Sequence, residues 1–146
     1  MKPLLILALL CLSCAAPSGA ADLSGVVTPY LRIEAALASD STKGVASDAA
    51  EVAAAASKLG TQAAPVAKAA TELQGAKDLA AARAAFWRLS DALIAYSQAT
   101  RSPLGAGVRT AYCPMEKKYW IQKDGQIANP YAGSKMPTCG EFREPK

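Results

Sequence analysis

Four sulfurs near the C-terminus carry the most distinctive chemistry in this chain of 146 residues. Cys113 and Met115 lie in AYCPMEKKYW, and Met136 and Cys139 lie in KMPTCGE, in the reverse order. Two chemistries use such a set. In an oxidising compartment an even pair of cysteines forms a disulfide. A Cys113–Cys139 bond would close a loop of about 27 residues and contribute roughly 3.5 kcal/mol in the chain-entropy model. In a reduced protein, two thiolates and two thioethers make a soft donor set that selects Cu(I), and by the same softness Ag(I), over Mg(II) or Ca(II). Both readings stand, and they can alternate: reduced and metal-bound, or oxidised and metal-free.

Other chemistries lack their residues. The chain has no histidine. No imidazole is there to act as base for a cysteine nucleophile, and C-P-M is not the C-x-x-C of thioredoxin-like proteins. A c-type haem site needs C-x-x-C-H, and a di-iron bundle needs Glu-x-x-His pairs. Glu34 and Asp40 are carboxylates at poor helical spacing for a catalytic pair. A non-enzymatic role is the expectation. The net charge is +4. Residues 22–100 carry seven Lys/Arg and eight Asp/Glu, whereas residues 101–146 carry eight and four. So modest a charge, on a chain expected to be exported, argues against nucleic acid as a partner.

The elements that must position the sulfurs follow from patterning. Lys2, the apolar run PLLILALLCLS and the small residues CAAPSGA form a secretory signal over residues 1–21. Periplasmic or secreted localisation is the consequence. Cys14, preceded by Ser13, offers lipid anchoring as the alternative. The mature chain, residues 22–146, reads as one domain without a transmembrane helix: a helical bundle over 22–100 and a Cys/Met-rich tail over 101–146. Val26, Tyr30, Ile33 and Leu37 make one helical face, and Val45, Ala49, Val52, Ala56 and Leu59 a second. Val66, Ala70 and Leu73 make a third. Leu79, Ala82, Phe86, Leu89, Leu93 and Tyr96 make the fourth, with Asp78 as N-cap. Short connections predict an up-down four-helix bundle. Pro29 marks either the start of the first helix after Thr28 or a kink within it. In the tail, YWIQ and QIANPY read as short extended pieces around a turn at Asp124-Gly125. Tyr112, Trp120, Ile121, Ile127 and Tyr131 are expected to plug this irregular or β-hairpin tail onto the bundle, with Trp120 and Tyr131 as its packing anchors.

Several of these stretches resemble a known family. AYCPM, WIQ, IANPYAG and M-x-x-CGE, together with PYLRIEAALASD and RAAFWRLSDAL, are similar to a bacterial domain of unknown function. That domain occurs alone after a signal peptide or at the C-terminus of periplasmic adaptor subunits of copper and silver efflux pumps. The resemblance implies a helical bundle, an association with heavy-metal efflux and a periplasmic adaptor or other efflux component as partner. It implies no established activity. Tyr112-Cys113-Pro114-Met115 also resembles the Y-x-C-P-M-H-P stretch of a small heavy-metal-binding module. Here no residue separates Tyr112 from Cys113, and Glu116-Lys117 replaces His-Pro.

Overall fold

Asp78 opens the longest helix among the described residues. Its carboxylate accepts a hydrogen bond from the Ala81 N–H at 2.8 Å, satisfying one of the amides that a helix start leaves unpaired. The computed structural model describes residues 20–145. The signal segment and Cys14 therefore lie almost wholly outside the described residues. Among the described residues four α-helices run in order: α1 (Ser24–Ala38), α2 (Val45–Ser57), α3 (Ala64–Gln74) and α4 (Leu79–Thr100). A small antiparallel sheet completes the fold, made of β1 (Val108–Cys113), β2 (Lys118–Lys123) and β3 (Glu141–Phe142) in the order β2-β1-β3. No helix among the described residues is long and apolar enough to cross a membrane.

The helical faces read from the spacing are the buried ones. Val26, Tyr30, Ile33 and Leu37 of α1 are all buried, as are Val45, Ala49, Val52 and Ala56 of α2. Pro29 lies inside α1, which begins five residues before it, so the first turn of the helix precedes the proline. Each helix packs on the next in sequence, while β2 lies against both α1 and α4. α1 and α4 also meet directly, with the Tyr30 and Phe86 rings 4.9 Å apart between centroids. Trp120 and Ile121 of β2 are both fully buried, on opposite faces of the strand.

Tyr30 ties these three elements together. The Ile121 N–H donates to the Tyr30 hydroxyl at 3.1 Å, the two hydroxyls of Tyr30 and Ser90 are 2.6 Å apart, and Ser90 donates to the Phe86 carbonyl at 2.9 Å. With the Ser90 proton committed to Phe86, the Tyr30 proton goes to Ser90. Tyr30→Phe leaves a buried amide and a buried hydroxyl short of a partner. It is expected to lower stability by about 1–3 kcal/mol in urea denaturation. Wild-type stability in that variant would mean that the tie contributes nothing.

The hairpin differs from the sequence expectation. Its turn is Pro114-Met115-Glu116-Lys117, closed by the Lys117 N–H on the Cys113 carbonyl at 2.8 Å, with Lys117 at φ 54°. β1 pairs with β2 in a register that sets Cys113 opposite Lys118 and Ala111 opposite Trp120. The chain does turn at Asp124-Gly125, but residues 126–131 beyond that turn form no strand. The Gln122 side chain captures them instead, donating to the Lys123 and Gln126 carbonyls and accepting the Ala128 N–H. Pro130, lacking an N–H, cannot extend a ladder.

Candidate dithiol site

Cys113 ends β1, and Cys139 comes after a short turn 26 positions later. Their Sγ atoms are 2.8 Å apart and both cysteines are free. Cys113 is fully buried and Cys139 partly exposed. The β1–β2 turn wraps around the pair. The Glu116 N–H lies 3.5 Å from Cys113 Sγ, and the Met115 backbone N–H faces the Cys139 sulfur. The Cys139 thiol is pushed up from its ordinary value, chiefly by its hydrogen bond with Cys113 and then by desolvation. Cys139 thus keeps its proton at neutral pH.

Buried groups hold Cys139 in place. Asn129, fully buried, donates from its side-chain amide to the Cys139 carbonyl at 2.8 Å. Its Oδ1 accepts the Tyr131 and Ala132 N–H groups, and its own N–H donates to the Pro137 carbonyl. Gly140 takes φ 146°, and a Cβ there would stand 2.6 Å from Trp120 Cη2. The chain beside Cys139 can pass over the tryptophan only because that residue has no side chain.

The two methionines sit differently. Met115 is 71% exposed on the β1–β2 turn, so it fills no gap in the core. Met136 is half-buried, and its carbonyl accepts the Cys139 N–H at 3.2 Å, which places it on the same turn as that cysteine. Among the described residues no three His, Cys, Asp or Glu side chains gather into a metal-binding group. Any ion held at the two thiols would have to complete its coordination with thioethers, backbone or solvent. Trp120 is fully buried and meets Tyr131 edge-on at 6.0 Å between centroids. The Tyr131 hydroxyl donates to the Tyr119 carbonyl at 2.6 Å. The basic tail spends two of its arginines on its own aromatic rings: Arg109 lies over Phe142 and Arg143 over Tyr112.

Two features were not read from the sequence as sites. Arg83 of α4 donates to the Leu37 carbonyl, the Asp40 carboxylate and the Pro130 carbonyl, binding the end of α1 and the tail to α4. Ser134 and Arg83 hold the Asp40 carboxyl down to about 2. Gly133, at φ 54°, lies so close to Asp40 and Arg83 that any Cβ would collide with both. The second is Glu34, which is buried with its Oε1 unpartnered among the described residues. Its signal was present: Glu34 lies four residues after Tyr30 and three before Leu37, a carboxylate on the apolar face of α1.

Fold and site together define a mainly helical domain with a small C-terminal sheet, where the thiol that ends β1 meets one from the loop before β3. The chain belongs to a family described as protein of unknown function (DUF3347), whose model matches residues 26–103. The matched span covers the four helices from within α1 onward and stops before β1, so the sulfur-bearing tail lies beyond it. No curated protein and no solved structure matches the chain.

Proposed function

We propose that this protein is an exported, non-enzymatic module that binds one soft cation, Cu(I) or Ag(I), when reduced, and passes it to or from a heavy-metal efflux component such as a periplasmic adaptor. Cys113 and Cys139 supply the thiolates, and Met115 and Met136 the thioethers. The observation that carries the reading is the meeting of the two thiols at 2.8 Å beside a turn whose methionine is 71% exposed. A methionine at that exposure does no packing, and a donor set of sulfur alone favours soft ions. The four helices, packed in sequence order through short connections, act as an up-down scaffold for this site.

Binding replaces the thiol protons, so affinity rises with pH. Oxidation removes the ligands: the two thiols lose two electrons and two protons to a disulfide-bearing oxidant, which leaves as a dithiol, and a Cys113–Cys139 bond forms. The same close approach favours a second reading, a disulfide-stapled interaction domain that binds no metal.

A competition titration against a Cu(I) chelator separates the two. Reduced wild type is expected to bind one Cu(I), Cys113→Ser to lose tight binding, and oxidised protein to bind far more weakly. Met115→Leu should keep the fold and lose about tenfold in affinity, roughly 1.4 kcal/mol. Reduced wild type binding no better than a Cys113→Ser/Cys139→Ser double variant would leave the staple reading alone.

A further inference from the structure

At the end of β2 away from the dithiol, a cleft of about 550 Å³ opens between α1 and the loop after β2. Its volume lies within the usual range for small-molecule sites. Thr28, Leu31 and Ala35 of α1 form one wall, and Gln126 and Ala128 lie on the other. Glu34 lines it as well. This residue is 6% exposed, and among the described residues its carboxyl Oε1 has no hydrogen-bond partner and no ion pair reaches it. The other charged residues of the lining are differently placed. Arg32 is paired with Asp48 and Glu51, and Asp124 with Arg109. Lys123 is exposed at the cleft. Gln122, by contrast with Glu34, has all its polar atoms engaged within the protein.

We propose that this cleft is a binding site for a small primary monoamine, whose ammonium pairs with Glu34 and whose apolar body lies along Leu31, Ala35 and Ala128. The chemistry of the wall narrows the class. An isolated buried carboxyl calls for a hydrogen-bond donor, and a charged donor gains most there. An anion would meet that carboxyl as a repulsive or unpaired neighbour. A hard divalent ion would require several oxygen ligands, and here Asp124 is committed to Arg109. Lys123 disfavours a second positive charge at the far end of the ligand, which selects a monoamine over a diamine.

Binding carries a proton balance. Desolvation raises the Glu34 carboxyl to about 8, so it holds its proton at neutral pH in the free protein. When the ammonium docks, the carboxyl ionises, and the proton leaves to the buffer. The ion pair replaces the neutral acid.

The test titrates n-pentylammonium, and separately 1-pentanol, into the full chain at pH 7 by calorimetry in two buffers of different ionisation enthalpy. The amine is expected to bind with release of up to one proton, and the alcohol at least tenfold more weakly with none. Glu34→Gln should lose at least tenfold in amine affinity together with the proton release. Ala35→Leu, which fills the cleft from an exposed helix position and alters no charge, should lose binding while keeping the wild-type far-UV spectrum. Absence of amine binding at millimolar concentration, equal binding of amine and alcohol, or unchanged affinity in either variant would overturn the proposal and leave the cleft as a solvent pocket.

Discussion

Trp120→Ala is expected to lower the unfolding free energy by about 4 kcal/mol or more, within or above the range for truncating a buried aromatic side chain. The indole is fully buried, and its neighbours explain why the loss does not relax away. Tyr131 meets the ring edge-on at 6.0 Å between centroids. The indole N–H donates to Gln122 Oε1 at 3.0 Å, and that amide in turn holds the loop after β2. Gly140 passes directly over the ring. Removing the ring therefore opens a cavity, deprives Gln122 of a donor and frees the chain beside Cys139. The second readout is chemical: disulfide formation between Cys113 and Cys139 should slow, because their apposition depends on that chain path. Urea denaturation and a timed thiol assay measure both. A stability change within about 0.5 kcal/mol, the usual value for a surface position, would show that the tail is not part of the cooperative fold.

The second large effect is a dependence of stability on pH that comes from one residue. Burial raises the Glu34 carboxyl from the ordinary 4.5 to about 8. The folded state then binds a proton that the unfolded chain releases above pH 4.5. Unfolding becomes more favourable by roughly 1.4 kcal/mol per pH unit across that window, or about 4 kcal/mol between pH 4.5 and 7.5. Stability from this group is fully present below pH 4.5 and is lost as pH rises toward 8. The window is unusually clean. The chain has no histidine, and Asp40, lowered to about 2, adds its stability between pH 2 and 4, below the window. The Cys139 thiol, raised from an ordinary value of 9, titrates above it. Glu34→Gln cannot ionise and is expected to show a nearly flat profile from about pH 5 to 8. It should match wild type near pH 5 and exceed it by several kcal/mol at about pH 8. A flat wild-type profile over the same range would mean that the carboxyl is hydrated or paired in solution.

Much of the helical half was legible because its signals are local. Asp78 caps α4 through a bond to an amide three residues away, and Gly75 directly follows the end of α3, whereas α2 stops at Ser57, before Gly60. The stripes at spacings of three and four in α1, α2, α3 and α4 name the faces that are buried, since one helix turn suffices to define a face. The approach of Cys113 to Cys139 could be posed from two cysteines in one tail.

The features that the sequence could not decide depend on partners distant along the chain. Two turns, Pro114–Lys117 and Asp124-Gly125, competed for the hairpin, and both carry turn residues. The outcome rests on where Gln122 sends its amide and on Trp120 being enclosed by Tyr131 and Gly140, which lie further along the chain. That enclosure exists only after the tail has folded back over β2. Glu34 lies on an apolar stripe, yet only the approach of the loop after β2 buries it and forms the cleft that it lines. The 2.8 Å between the sulfurs likewise follows from Asn129 and Gly140 setting the path of Cys139 over a distant ring. Helix faces are properties of a few adjacent turns and can be read in order along the chain. Strand register, burial of a charge and the meeting of two thiols are properties of elements that touch only in the folded state.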